Sequence, residues 1–296
     1  MNWFRKNLVT IILVGLMFIG VGLIIYPSVS DYWNSFTQSR IIMSYADSIS
    51  EMDSDEYERI MSSARQYNEE LKTKESRWNM TEEEWSRYMS ELNVDGAGSM
   101  GYITIPKIDI MLPINHSTEE KVLQSAIGHI EGTSLPVGGE GTHCVLSGHR
   151  GMPTARLFTD LDKLKEGDTF TLTIMNEMLT YQIDQIRIVE PTDYSLLQFE
   201  EGADYCTLLT CTPYGINTQR LLVRGKRIAN PNGEAKVVAD AIQVEATYVA
   251  PFIAVPIIFV LLLWMVIAAR ARRIDRLRME QARETLRRRQ YRNGRP

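Results

Sequence analysis

The sequence CTLLTCTPYG at residues 206–215 joins a β-strand pattern to an immediate turn. The run from Cys206 to Thr210 is a short apolar and β-branched segment of the kind that forms strands. Cys211 ends the run, and the proline and glycine that follow favour a turn. A side chain at the end of a strand is held firmly and still faces a loop, so Cys211 stands where a reactive group can be both rigid and accessible.

Residues 100–228 on both sides of this stretch consist of short β-rich runs separated by glycine, proline and Asn/Asp turns. Seven or eight strands at such spacing favour a closed barrel or a sandwich. Short helices are predicted at Glu119 to Ala126 and at Thr154 to Leu161. The predicted strands are Tyr102 to Ile105, Met111 to Ile114, His143 to Ser147, Thr169 to Ile174, Leu179 to Val189, Cys206 to Thr210 and Leu221 to Ile228.

The segment before these strands is polar and has apolar residues near helical spacing between residues 31 and 91, which predicts one or two amphipathic helices. Thr81 followed by Glu84 has the pattern of a helix start with a capping box. The turn-rich stretch from Asp95 to Gly98 marks the boundary with the β-rich region.

Two uncharged apolar runs, Asn7 to Tyr26 and Tyr248 to Ala269, are each long enough to cross a bilayer as a helix. A cleaved signal peptide is the alternative interpretation of the first run. Basic residues flank the runs at Arg5, Lys6 and from Arg270 onward, which predicts that both termini are cytoplasmic and that the chain passes twice through the plasma membrane. The region between the runs is then extracellular.

Charge is distributed very unevenly, because residues 270–296 hold eleven arginines against three carboxylates in a chain with a net charge of −5. We expect this basic tail to lie on anionic lipid, at about 1 kcal/mol per basic residue near the surface; docking to a secretion or assembly partner is the alternative.

The sequence has no internal repeat and no phosphate-binding glycine loop, and we expect no nucleic-acid partner. The predicted segments are 1–27 (leader and first span), 28–99 (helical), 100–230 (barrel), 231–247 (connector), 248–269 (second span) and 270–296 (basic tail).

The chain has three cysteines, an odd number for an exported region, so at least one thiol is left outside any internal disulfide. Cys206 and Cys211 lie five residues apart in a strand-like run and point to opposite faces, which argues against a bond between them.

A sulfur nucleophile needs a positive neighbour, and acyl transfer needs a donor for the developing oxyanion. Cys211, His149 and Arg220 are the candidates: His149 ends one strand-like run and Arg220 begins another, nine residues after Cys211. Each residue has an ordinary structural explanation as well. Such a cysteine is most often a small core residue, such a histidine a turn residue, and such an arginine a solvated charge. Spacing alone does not decide between the two interpretations.

Three ordered motifs do decide it. TLLTC at residues 207–211 is similar to the TLxTC signature of sortases, NTQRLLVRG at 217–225 resembles the arginine strand of that family, and THCVLSGHRG at 142–151 resembles its histidine motif. The flanking blocks YITIPKIDI, HIEGTSLPVG and FTDLDKLKEGD are also similar to sortase cores. The resemblance covers residues 101–228, and the second apolar run together with TCTPYGINT is most like the pilus-assembling class C branch.

The resemblance implies a mainly β fold, an eight-stranded sortase barrel with short helices, preceded by a helical segment and flanked by two transmembrane helices. It also implies a cysteine transpeptidase without a cofactor or metal. Cys211 attacks the Thr–Gly bond of an LPxTG-like sorting signal, His149 protonates the leaving amine, and Arg220 stabilises the oxyanion. The expected partners are LPxTG-bearing surface or pilin proteins, and the expected nucleophile is a pilin lysine or a cell-wall precursor amine.

Two departures from class C stand out. The chain lacks the Asp-Pro-aromatic motif of the usual lid over the cysteine, and Trp78 or Trp85 could substitute for it or simply pack a helix on the barrel. Gln219 stands where class C members frequently have histidine. The alternatives to pilus assembly are attachment of proteins to peptidoglycan, hydrolysis of a surface peptide, and a non-catalytic surface scaffold.

Overall fold

The structure of the protein is a computed structural model, which describes residues 2–152 and 154–230 together with many of the residues between 256 and 294. Four α-helices and eight β-strands occupy the first part. The helices are α1 (Asn2–Ser50), α2 (Ser54–Lys72), α3 (Glu82–Ser90) and α4 (Glu120–Leu123). The strands are β1 (Ser99–Ile105), β2 (Ile110–His116), β3 (Ile127–His129), β4 (Thr142–Ser147), β5 (Thr169–Ile174), β6 (Glu177–Val189), β7 (Asp204–Thr212) and β8 (Gln219–Arg227).

The eight strands close into a barrel in the order β1-β2-β3-β4-β7-β8-β6-β5. Most neighbouring strands are antiparallel, whereas β2 pairs with β3 and β4 pairs with β7 in parallel. Alternating side chains point inward, so that Ile103, Leu172 and Leu208 are fully buried in the barrel. The predicted mainly β fold and eight-stranded barrel are therefore confirmed.

The short strand β3 is absent from the seven predicted runs, because three residues are too few to show a period in sequence. The helix predicted at Thr154 to Leu161 is wrong. Leu157 adopts a left-handed φ of 36°, and the Phe158 amide donates to the His149 carbonyl at 3.1 Å instead of continuing a helical ladder. A short 3₁₀ turn at Leu161–Lys163 is the regular structure found there.

The three N-terminal helices pack on the barrel. Tyr45 of α1 is fully buried, and its hydroxyl donates to the Met100 carbonyl at 2.7 Å. The predicted capping box of α3 is present, since Thr81 accepts from the Glu84 amide and Glu84 accepts from the Thr81 amide. Tyr88 of α3 is also buried, and its hydroxyl lies 3.0 Å from His129 Nδ1. A fully buried side chain of this size contributes roughly 1.5–3 kcal/mol, so the helices are an integral part of the domain.

Helix α1 contains a candidate membrane span within Asn7–Ser50, with a mean hydropathy of 3.0 in its most apolar window, none of which is buried in the protein. The helix continues through Pro27 without a break to Ser50. Most of the second predicted span, Tyr248 to Ala269, lies outside the described residues. Two transmembrane helices are thus not confirmed, and the described residues contain one candidate span.

Candidate active site

Cys211 and Arg220 are direct partners across the antiparallel pair of β7 and β8. Both side chains are half-buried, as expected for groups at the end of a strand that borders a loop. Side chains directly opposite each other on neighbouring strands lie on the same face of the sheet and within reach of one another. The loop of residues 213–218 therefore places Arg220 opposite Cys211 on the neighbouring strand.

His149 follows β4, which runs parallel to β7 with Ser147 opposite Leu209. Two hydrogen bonds extend this pairing: the Gly148 amide donates to the Leu209 carbonyl at 3.1 Å, and the Thr210 hydroxyl donates to the Gly148 carbonyl at 2.7 Å. Continuing the register by two residues sets His149 beside Cys211. The structure thus brings the three sequence-predicted residues to the ends of three adjacent strands.

Position 148, directly after β4, favours glycine because the chain there is in close contact with the barrel core. A β-carbon there would lie 2.7 Å from Ile127 Cδ1 and 2.8 Å from Phe158 Cδ2. These distances are shorter than van der Waals contact, so a side chain would push the strand outward. The absence of a side chain at position 148 therefore keeps the chain that leads to His149 close to the barrel core.

The His149 side chain is 30% exposed and faces α4. Its Nε2 atom lies 3.6 Å from Glu120 Oε2, and the Glu120 side chain is 72% exposed. A pair this open to solvent contributes at most about 1 kcal/mol. The main-chain bond from Phe158 to the His149 carbonyl is the firmer constraint on the position of this residue.

The Arg220 guanidinium is oriented by its own loop. Its Nη1 atom donates to the Asn217 carbonyl at 3.2 Å and to the Gln219 carbonyl at 3.1 Å. Asn217 adopts a left-handed φ of 61°, which asparagine tolerates better than most residues, and this turns its carbonyl toward the arginine. A guanidinium has five N–H donors, so this anchorage leaves donors for a substrate oxygen.

Arg150 is a site residue that the sequence reasoning missed. Its side chain is 8% exposed; Nη1 donates to the Thr212 hydroxyl at 3.3 Å, and Nη2 pairs with Asp162. The guanidinium also lies 5.9 Å from the Tyr214 ring centroid. The sequence feature that could have indicated this role is the position of Arg150 directly after His149. A cation buried at that position must find partners on neighbouring segments.

An apolar surface covers the outside of the barrel next to Cys211. This surface, named here the outer apolar floor, is formed by Val145, Leu197, Leu209, Leu222 and neighbouring apolar side chains. Leu209 precedes Cys211 by two residues and therefore lies on the same face of β7. Val145, Leu197 and Leu222 of this floor are buried, and the partly buried side chains of Trp78 and Leu209 pack against them.

The two candidate plug residues have different positions. Trp78 packs against the outer apolar floor, and its ring lies 5.0 Å from that of Tyr194. Trp85 packs instead against the main core, where its ring lies 5.5 Å from Tyr88. Trp78 is therefore the one that shares a face of the barrel with Cys211.

The other two cysteines belong to the core. Cys144 and Cys206 are buried in the barrel interior, and all three cysteines are free thiols. Among the described residues, no group of three or more His, Cys, Asp or Glu side chains is arranged to hold a metal ion.

Comparison with known proteins gives the family. A sortase domain model matches residues 103–228, from β1 to the end of β8. Sortase C1 from Streptococcus agalactiae is 56% identical in sequence and has a TM-score of 0.63, with 64% of this chain and 99% of that chain covered. The chain belongs to the sortase family.

Several other relatives support this assignment. A Clostridium perfringens sortase C, solved with the C-terminal cell wall sorting motif, is 41% identical over 64% of this chain and 99% of that one, with a TM-score of 0.58. Sortase D from Bacillus subtilis is 31% identical over 131 residues, which are 43% of this sortase. This sortase spans 63% of that relative, slightly less than two thirds of its length. The solved relatives from Streptococcus agalactiae and Clostridium perfringens are class C sortases, so the predicted resemblance to that branch is confirmed.

Proposed function

We propose that this sortase is a membrane-anchored cysteine transpeptidase that cuts an LPxTG-like sorting signal and joins its threonine carbonyl to an amine. The observation that carries the proposal is the direct pairing of Cys211 with Arg220 on β7 and β8, with His149 at the end of the adjacent β4. A thiol, an imidazole and a guanidinium on three neighbouring strand ends supply the nucleophile, the proton carrier and the oxyanion donor that acyl transfer requires.

The first half of the reaction forms a thioester. The Cys211 sulfur gives its proton to His149 and attacks the threonine carbonyl, and the negative charge that develops on the oxygen is stabilised by N–H donors of Arg220. The C–N bond to glycine then breaks, and His149 gives a proton to the leaving amine. In the second half an incoming amine loses a proton to His149 and attacks the thioester, which releases Cys211 and forms the new amide bond.

We propose a lysine side chain of another pilin subunit as the incoming amine, which makes the product an isopeptide-linked polymer. The support is similarity: solved relatives at 56% and 45% identity are class C sortases, and the structure of the second, from Streptococcus pneumoniae, provides insights into pilin substrate specificity. A peptidoglycan precursor amine is the competing nucleophile, and it makes the chain a housekeeping enzyme.

Membrane attachment is part of the proposal. The apolar segment of α1 is long enough to cross the bilayer, and the same helix continues into contacts with the barrel, where Gln38 Nε2 donates to the Ser125 carbonyl at 2.8 Å. A second span at residues 248–269 with a basic cytoplasmic tail completes the proposed two-pass topology. The barrel then stands outside the cell, close to the membrane surface where exported substrates emerge.

The decisive experiment places the full chain in lipid nanodiscs and adds an LPxTG-type peptide. We expect intact-mass spectrometry to detect an acyl-enzyme on Cys211 that is lost in Cys211→Ala. A lysine-bearing pilin peptide and an oligoglycine amine are then added in competition. Transfer to lysine supports pilus assembly, transfer to oligoglycine supports peptidoglycan attachment, and release to water alone indicates a hydrolase. Surface polymer formation that survives Cys211→Ala would exclude the proposed mechanism.

A further inference from the structure

Two cysteines face each other inside the barrel. Cys144 of β4 and Cys206 of β7 are direct partners in the parallel register of these strands. Register partners on adjacent strands point to the same face, and both residues belong to the interior core. Adjacent strands lie about 4.8 Å apart, which falls within the Cα separation of roughly 4.4–6.8 Å that disulfides accept.

The surroundings hold the pair together. Cys206 also lies opposite Gly225 of β8, where a β-carbon would come within 2.7 Å of the Phe170 ring. Phe170 and Tyr181 stack at a centroid distance of 5.5 Å over this point. Close packing on that side leaves the two thiols facing each other with little freedom to turn away.

The two thiols differ in acidity. Burial opposes ionisation of Cys144, but hydrogen bonds with Cys206 and His129 outweigh it and lower the pKa of this thiol. Burial raises the pKa of Cys206 well above its usual value, and the hydrogen bond to Cys144 adds to the effect. Cys144 is therefore the more acidic of the two thiols.

We propose that Cys144 and Cys206 are a redox pair that forms a cross-strand disulfide when the chain folds in the presence of a small-molecule disulfide oxidant. The Cys144 thiolate attacks one sulfur of the oxidant, and the other sulfur leaves as a thiolate that takes up the proton of Cys206. The Cys206 sulfur then attacks the mixed disulfide at Cys144, the internal bond forms, and the second thiolate of the oxidant leaves. Two protein thiols are oxidised by two electrons and the oxidant is reduced to two thiols.

This bond has a defined relation to the active site. Cys144 precedes His149 by five residues on the β4 segment, and Cys206 precedes Cys211 by five residues on β7. The disulfide therefore ties together the two strands that carry the imidazole and the nucleophile, at a point five residues before each of them. It uses two of the three cysteines and leaves Cys211 as the single free thiol. Closing a loop of roughly 60 residues restricts the unfolded chain and stabilises the barrel.

The test uses cell-free synthesis of the full chain into nanodiscs, in buffers of oxidised or reduced glutathione, so that the thiols meet the oxidant before the barrel closes around them. The products are quenched in acid, denatured and alkylated with a maleimide. We expect three alkylated cysteines after reduction and one, Cys211, after oxidation, with a crosslinked peptide pair containing Cys144 and Cys206. The oxidised form should unfold at a higher temperature, and dithiothreitol should reverse the difference.

Two variants sharpen the result. Cys211→Ala should still lose both remaining alkylation sites on oxidation, because the bond does not involve the nucleophile. Cys206→Ser should show no internal bond and no reductant-dependent change in unfolding temperature. Three alkylated cysteines in oxidising buffer, glutathione adducts in place of an internal bond, or a bond that contains Cys211 would each overturn the proposal. These outcomes leave the proposed transpeptidase activity untouched, since acylation of Cys211 is measured separately.

Discussion

Arg150 donates from Nη1 to the Thr212 hydroxyl at 3.3 Å, and this bond joins the residue after His149 to the residue after Cys211. The bond crosses from the end of β4 to the end of β7 and fixes the separation of the two strand ends. A bond to a buried charged group contributes about 1.5–3 kcal/mol. We therefore assign Arg150 to positioning: it acts on the reaction through His149 and Cys211.

The corresponding prediction concerns the acylation rate. Arg150→Gln should lower kcat for thioester formation about 10- to 100-fold, because each 1.36 kcal/mol of lost stabilisation is tenfold in rate, while KM for the peptide changes little. Thr212→Val should have a smaller effect of the same kind. The double variant should be no worse than Arg150→Gln alone, since both changes remove one interaction.

The matched control is Arg156→Gln in the same loop, whose guanidinium is 53% exposed and pairs with Asp160. It should retain the wild-type rate. Additive losses of kcat in the double variant would show that Arg150 does not act through Thr212. An equal loss of kcat in Arg156→Gln would show that both changes act through the general stability of the loop.

Arg220 provides a second prediction. Arg220→Ala should lower the acylation rate by about 10²- to 10³-fold, the range measured for removal of one oxyanion donor. Arg220→Lys should recover only part of the loss, because an ammonium lacks the planar fork of donors. Single-turnover mass spectrometry of the acyl-enzyme measures both variants.

Arg187→Ala on β6 serves as the comparison for Arg220, since Arg187 is also a strand arginine but is exposed to solvent. An acylation rate for Arg220→Ala within a factor of about 2 of the wild-type rate would remove Arg220 from the catalytic set. So small a change in rate does not fit the loss of an oxyanion donor.

Local patterns predicted the strands and the three strand ends but left a barrel or a sandwich open, and the resemblance to sortases implied the eight-stranded barrel. Strand propensity with turn residues located the ends of β4, β7 and β8, and Cys211, His149 and Arg220 stand at those ends. Register was not predictable in this way, since the parallel pairing of β4 with β7 joins residues about 60 positions apart and depends on the closure of the whole barrel. The roles of Arg150 and the contact of Cys144 with Cys206 follow from that register, and for this reason both required the structure.

Trp78 gives a third prediction, because it lies on the outer apolar floor that extends from Cys211. If the sorting signal uses this floor, the indole and the peptide compete for the same apolar surface. Trp78→Ala should then lower KM for the LPxTG-type peptide several-fold. Trp85→Ala, which removes a ring packed on the main core, should lower the unfolding temperature and leave KM unchanged. A higher KM in Trp78→Ala would mean that the indole helps to bind the peptide.

His143 gives a prediction about acid stability. Its side chain is buried, Nδ1 lies 2.9 Å from the Gln198 carbonyl, and Nε2 lies 2.7 Å from the Thr207 hydroxyl. With Nδ1 protonated, the neutral ring donates to the carbonyl and accepts from the hydroxyl, so both partners are satisfied. Burial, reinforced by the positive charge of Arg224, lowers the pKa of His143 to about 4.

The sign of the pH effect follows from this lowered pKa. The unfolded chain binds a proton at His143 below about pH 6.5, whereas the folded chain binds it only near pH 4. The stability contribution is therefore complete above pH 6.5 and is lost as the pH falls from 6.5 to 4, by roughly 3 kcal/mol in all. Burial of His116 lowers its pKa too and acts in the same direction, whereas burial raises the pKa of Asp204 and opposes the loss at the acid end.

The difference between wild type and His143→Gln isolates the contribution of this residue. Glutamine can donate to the Gln198 carbonyl and accept from Thr207 but does not titrate, so its free energy of unfolding should fall less steeply between pH 6.5 and 4. Urea unfolding followed by tryptophan fluorescence at several pH values gives both curves. Parallel curves across this range would show that His143 takes up its proton equally in the folded and unfolded chains, and the acid sensitivity of the barrel would then rest on other groups.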